Sequence, residues 1–166
     1  MKNINFIWGV LLGFLTPIII VGTFILFYNK KIERPIVMDI NSLEIIGTDG
    51  TSLRLNTINE NGLLINFWAT WCAPCISEMP FFHEIENEEK IKVIALSNQK
   101  MDIIRKFVKE NEYSFMIAQY RVSNDEIINV LPTTVLLNQN QEVVWSKSGS
   151  VTKTELNKAI KMLNKQ

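Results

Sequence analysis

Cysteine is scarce in this chain. Its 166 residues include two, Cys72 and Cys75. Cysteines so close together cannot staple distant elements, because a stabilising disulfide framework works by closing long loops. Their place is therefore in local chemistry. Histidine is scarcer still, with His83 alone. On a helix it would lie about 12 Å beyond Cys75 at ~1.5 Å per residue. It reads as a surface residue rather than a ligand, and the four ligands of a structural zinc site cannot be assembled. Excess charge is missing too. With 17 basic and 17 acidic side chains, nothing points to nucleic acid or to a polyanionic substrate. There are no repeats or low-complexity tracts, and the length suits one domain plus an appendage.

Charge is also absent locally: from Asn3 to Asn29 no side chain carries any. As one helix, residues 4–27 would extend about 36 Å, enough to cross a ~30 Å hydrocarbon layer with some tilt. Trp8 and Tyr28 suit its two interfaces, and Gly13 and Pro17 are tolerated in membrane spans. A signal peptide has a shorter apolar region and a small-x-small cleavage site, which Phe24-Ile25-Leu26-Phe27-Tyr28 does not offer. Residues 1–28 are thus expected to form an uncleaved transmembrane anchor, 29–38 a linker and 39–166 the folded domain. Lys30, Lys31 and Arg34 outweigh Lys2 and the amino terminus. By itself the positive-inside rule would then put the domain in the cytoplasm.

Within the domain, Asp49-Gly50 between two short apolar-alternating runs marks a hairpin over residues 43–55. Residues 57–61 are polar and read as a turn or a short helical piece. Residues 63–68 are an apolar run with aromatics, of strand length, and a helix is expected from the cysteines to about residue 89. A second buried strand follows at 92–97. A helix at 102–111 places Ile103, Ile104, Phe107 and Val108 on one face. A short strand at 114–118, a helical turn at 124–129, a strand hairpin at 133–146 and a helix at 152–163 complete the chain. Thr152 and Glu155 are spaced as a capping box for that last helix. The order implies an α/β fold: right-handed parallel crossovers, a closing antiparallel hairpin, and a mixed sheet with helices on both faces.

The cysteines sit where the first buried strand turns into a helix. Unpaired N–H groups and the positive end of the helix dipole favour a thiolate at Cys72. Pro74 has no N–H to lose in the first turn. A strand feeding Cys-x-x-Cys at the start of a helix is a dithiol arrangement.

These residues also carry a resemblance. Asn66-Phe67-Trp68-Ala69-Thr70-Trp71-Cys72-Ala73-Pro74-Cys75, with Glu78 and Pro80, resembles the thioredoxin superfamily. More narrowly it is similar to the membrane-anchored TlpA/ResA-type thiol-disulfide oxidoreductases. Leu131-Pro132-Thr133-Thr134-Val135 matches that family's cis-proline loop and following strand, although residues 124–130 lack the usual glycine. The resemblance implies a thioredoxin-like mixed sheet flanked by helices, with an N-terminal β-hairpin extension and a transmembrane helix. It implies Cys72 as the exposed nucleophile and Cys75 as the buried resolving thiol. Trp71 would be a partly exposed platform beside Cys72, while Trp68 packs in the core. Pro132 and the main chain of Leu131 would receive the substrate strand through backbone hydrogen bonds. Asn66 stands where thioredoxin proper has a proton-handling aspartate, and it cannot accept a proton at ordinary pH. Glu78, three residues after Cys75 and so on the same helix face, is the expected substitute. A surface helix carboxylate is the plain alternative.

The activity these residues imply is thiol-disulfide exchange, most simply reduction of client proteins. Apocytochrome c is the family's best-known client, and isomerase or oxidant roles stay open. No cofactor is needed beyond the redox-active disulfide Cys72–Cys75. The family places such domains outside the cytoplasm, against the charge count, where exposed thiols default to disulfides; electrons must then come from a membrane thiol-disulfide partner. A rival from another class is a metallochaperone holding Cu(I) between Cys72 and Cys75, which suit that ion. A thiol peroxidase is disfavoured by the paired cysteines.

Overall fold

The computed structural model describes Ile40, residues 43–55, 62–88 and 91–122, Ile128 and residues 130–163. All of these belong to the second of the two units into which the chain divides, residues 35–166. The expected anchor at 1–28 and linker at 29–38 lie outside the described residues, as do segment 57–61 and all of 124–129 but Ile128. Among the described residues no helix is long and apolar enough to cross a membrane.

The elements run β1 (Glu44–Gly47), β2 (Ser52–Leu53), β3 (Leu63–Phe67), α1 (Ala73–Asn87), β4 (Lys92–Ser97), α2 (Met101–Glu110), β5 (Met116–Arg121), β6 (Thr133–Leu137), β7 (Val143–Ser148) and α3 (Lys153–Leu163). The strands form one mixed sheet in the order β2-β1-β5-β4-β3-β6-β7. The pairs β3–β4 and β4–β5 are parallel, and the rest are antiparallel. Because β1 pairs with β5 from Glu44↔Arg121 to Gly47↔Ala118, the leading strands continue the sheet. Their turn is held by Asp49, whose Oδ1 accepts from the Thr51 amide at 2.9 Å.

β3 is buried along its whole length, as its apolar run requires. Alternation divides it between two cores. Leu64 and Trp68 face a cluster containing Met79, Phe82 and Ile85 of α1, Ile104 of α2, and Leu156 and Ile160 of α3. Leu63, Ile65 and Phe67 face another, with Ile94, Leu96 and Val135, closed by Leu43, Ile45 and Leu55. The described helices therefore share one face; the helical turn expected at 124–129 lies outside the described residues apart from Ile128. Chirality explains the shared face. The crossovers β3–α1–β4 and β4–α2–β5 step in the same direction across the sheet, and a right-handed connection then deposits both helices on the same side.

Smaller differences have local causes. Ile103 points to solvent while Ile104 is buried, because adjacent helix positions diverge by about 100° and only one can face the sheet. The strand expected at 114–118 begins later, at Met116, since Phe115 is first drawn into an edge-to-face contact with Phe82. Helix α1 ends at Asn87 and continues through Pro80. Gly62, just before β3, has φ +104°, and a Cβ there would meet Leu163 Cδ1 at 2.7 Å and Leu137 O at 2.9 Å.

Candidate active site

The C-terminal ends of the parallel strands β3, β4 and β5 lie together, and three connections meet there. Chain leaving β3 enters the turn that carries Trp71 and Cys72. Chain leaving β4 passes through Gln99 before α2. Antiparallel β6 begins at the same end, with Thr133 opposite Phe67, which brings Leu131 and Pro132 alongside the end of β3. The Leu131–Pro132 peptide bond is cis. Pro132 O accepts from the Gly149 amide at 2.7 Å, and Thr133 Oγ1 donates to Val130 O at 2.7 Å. The loop is thereby braced on both sides of the proline.

Cys72 is the N-cap of α1, and its Sγ accepts from the Cys75 amide at 3.3 Å. No acidic residue stands in the first turn, so nothing there opposes negative charge on that sulfur. Cys72 and Cys75 form a disulfide. In this oxidised form Cys72 is 4% exposed and Cys75 0%. The expected exposed nucleophile is thus almost covered, although it is the more accessible of the two. The openly displayed group is Trp71, 73% exposed. Trp68 is buried and packs on Phe107 at 4.6 Å between ring centroids. Val130, just before the cis-proline bond, is also exposed.

Two polar side chains of the elements that flank the disulfide in the chain, Asn66 on β3 and Glu78 on α1, are buried. Asn66 Nδ2 donates to Thr134 Oγ1 at 3.0 Å, directly across the β3–β6 pair, and Asn66 Oδ1 has no partner among the described residues. Glu78 is not a surface carboxylate. It is 2% exposed, with Oε1 accepting from the Val151 amide at 2.8 Å and Oε2 buried without a hydrogen-bond partner among the described residues. Desolvation raises its pKa above the ordinary carboxylate value; the Val151 amide, the Ser150 hydroxyl and the Lys147 charge pull it back less strongly. Such a carboxyl can hold and release a proton closer to neutrality than one in water.

Several participants carried no signal in the sequence. Thr134 could have been found only through the β3–β6 register, and Val151 offers a backbone amide, which composition never reveals. Gln99 is the clearest case. Its Oε1 accepts from the Thr70 amide at 2.7 Å and its Nε2 donates to Thr70 Oγ1 at 3.0 Å. His83 is engaged structurally, its Nδ1 accepting from the Ser114 amide at 3.0 Å. Among the described residues no group of three or more His, Cys, Asp or Glu side chains could hold a metal ion.

Residues 36–163 match the family model described as Redoxin. The chain belongs to the Redoxin family. Curated relatives agree: it is 30% identical over 144 residues to the thiol-disulfide oxidoreductase ResA of Geobacillus kaustophilus, covering 82% of this chain and 83% of that protein. The ResA of Bacillus cereus is 28% identical over 146 residues, covering 82% and 83% respectively. A thioredoxin-related protein from Neisseria meningitidis serogroup B has the same fold, with TM-score 0.65 and 26% identity over 74% of this chain and 100% of that one. Within the Redoxin family this is a thiol-disulfide oxidoreductase of the ResA type, and the Cys72–Cys75 pair is its redox centre.

Proposed function

We propose that this Redoxin-family enzyme is a membrane-anchored reductase of client protein disulfides, working on the extracytoplasmic side. The observation that carries the proposal is Glu78: a buried carboxyl one helical turn beyond Cys75, with one oxygen held by Val151 and the other without a hydrogen-bond partner among the described residues. A dithiol that reduces must shed a proton from its buried thiol, and this carboxyl is suited to take it.

The reaction starts from the reduced pair. The Cys72 thiolate, favoured at the N-terminus of α1, attacks one sulfur of the client disulfide. A Cys72–client bond forms, the client disulfide breaks, and the departing client sulfur leaves as a thiolate. Cys75 then loses its proton to Glu78 and attacks Cys72 Sγ. The Cys72–Cys75 bond forms and the second client thiolate is released. Two electrons have passed to the client, and Glu78 returns its proton to solvent or to the departing thiolate. The cis-proline loop, with Leu131 and Pro132, receives the client strand by its main chain, and Trp71 covers it. A membrane thiol-disulfide partner then reduces Cys72–Cys75 again. The ResA relatives are thiol-disulfide oxidoreductases, which supports the class of reaction; apocytochrome c is one client chemistry this would serve.

Two experiments test the reading. In cells, Cys75→Ser should accumulate a mixed disulfide through Cys72 and reveal the client, whereas Cys72→Ser should not; the reverse pattern would reassign the nucleophile. Alkaline phosphatase fused to the C-terminus should be active, and an inactive fusion would refute the extracytoplasmic orientation.

A further inference from the structure

We propose that Gln99 is a positioning residue for the attacking thiol, holding the turn between β3 and Cys72 in the shape that makes Cys72 the cap of α1. It rests on Cys72 as the nucleophile. The side chain spans two connections that have no covalent reason to stay together. Gln99 belongs to the β4–α2 loop, and the turn it grips leads out of β3. Its amide meets Thr70 twice, accepting from the Thr70 N–H at 2.7 Å and donating to the hydroxyl at 3.0 Å.

Gln99 is itself held. Ser97 Oγ donates to its Oε1 at 3.3 Å and accepts from its backbone N–H at 3.3 Å. Gln119, buried on β5, donates from Nε2 to Gln99 O at 2.7 Å. Strands β4 and β5 thus orient one side chain, and that side chain orients the turn. Backbone bonds also hold the two ends of this turn, Trp68 N to Leu96 O at 3.0 Å and Cys72 N to Ala69 O at 3.0 Å. Thr70 lies between those two points. Its N–H would otherwise face a partly buried loop without a partner, at the residue just before Trp71.

The consequence for chemistry follows from the cap. A thiolate at Cys72 is stabilised only while its sulfur faces the Cys75 amide and the helix terminus. A turn that wanders samples geometries in which that contact is lost, so the thiolate fraction falls. The reduced form is then less favoured, and the disulfide becomes harder to reduce.

The full chain carrying Gln99→Met, which keeps the length and loses both bonds, tests this against the wild type. Three readings are taken: hydrogen exchange of the Thr70 amide, the pH profile of iodoacetamide labelling at each cysteine of the reduced protein, and the potential against glutathione. Expected are faster Thr70 exchange, a labelling midpoint moved to higher pH with a rate at pH 7 lower by about fivefold, as one lost hydrogen bond implies, and a more negative potential. Gln99→Glu keeps an acceptor for the Thr70 amide and should restore its protection. Were Gln99→Met not to fold, Thr70→Val removes the hydroxyl contact alone and should move the profile less, in the same direction. Faster Thr70 exchange with an unmoved labelling profile would make the clasp purely structural and overturn the proposal; so would unaltered exchange, or an unmoved profile in Thr70→Val. If iodoacetamide labels Cys75 before Cys72 in the wild type, the nucleophile assignment fails first and takes this proposal with it.

Discussion

Replacing Glu78 with glutamine separates its proton chemistry from its packing. Glutamine keeps an oxygen for the Val151 amide, bonded at 2.8 Å in the wild type, and exchanges Oε2 for an uncharged amide nitrogen. In the unfolded chain the carboxyl titrates near its ordinary value of 4.5; in the fold, desolvation raises it. The native state therefore holds a proton that the unfolded state has released at pH values between the two. By linkage, the stability of the wild type is at its fullest below about 4.5 and declines as pH rises through the folded value. Ionising this buried carboxyl costs on the order of 1–3 kcal/mol, net of what the Val151 amide, the Ser150 hydroxyl and the Lys147 charge return. Glu78→Gln should thus be nearly level with the wild type at pH 4 and more stable by about that amount at pH 8. Denaturant unfolding of the oxidised protein at a series of pH values measures it directly. Parallel curves for the two proteins from pH 4 to pH 8 would refute the burial argument. The same variant should reduce a disulfide client about 100-fold more slowly in single turnover, the lower range of what a positioned proton acceptor contributes.

Other consequences are narrower. Trp71→Ala removes a side chain that is 73% exposed, so unfolding should change by less than about 0.5 kcal/mol, while KM for a protein client rises on the order of tenfold as a buried aromatic anchor is lost from the complex. Glu155, held to about 2 first by Lys147 and then by Thr152, adds stability that is present above its unfolded value and lost as pH falls from ~4.5 to ~2; Lys147→Gln should move its carboxyl resonance titration upward, at a cost under about 1 kcal/mol because the pair is half exposed. Gly62→Ala should destabilise by about 1–3 kcal/mol in thermal or denaturant unfolding, since φ is +104° and the new methyl meets Leu137 O at 2.9 Å; an unchanged midpoint would mean the loop relaxes freely.

What was legible in the sequence was what rests on local pattern. The apolar run at β3, the strand at Lys92–Ser97 and the Thr152–Glu155 capping box all appear in the structure. The cysteine pair could be read because strand, turn and helix start are contiguous. Less legible was anything set by the relation between segments. Both described crossover helices share one face because of chirality and strand order, neither of which periodicity encodes. Glu78 could be suspected from its spacing to Cys75, but its burial depends on Val151, from the loop before α3. Gln99 had no local mark at all: a polar residue after a strand is ordinary, and only the convergence of β3, β4 and β5 gives it a partner.

Of the buried pair Asn66 and Glu78 only the second can titrate, so the proposed proton role falls to a single carboxyl. Asn66 lies at the end of β3 under the helices, and its donor is occupied by Thr134 across the strand pair. It supplies shape and a fixed dipole without a titrating charge. Had that position carried a carboxylate, two buried acids would lie on the same side of the sheet, and each would raise the pKa of the other. With asparagine there, the proton affinity of Glu78 is governed by its own desolvation and by contacts from the loop before α3. Asn66→Asp therefore should not simply add a second proton acceptor. It should drive the Glu78 titration further upward, and a downward or unchanged titration of Glu78 in that variant would show that the two sites are electrostatically independent.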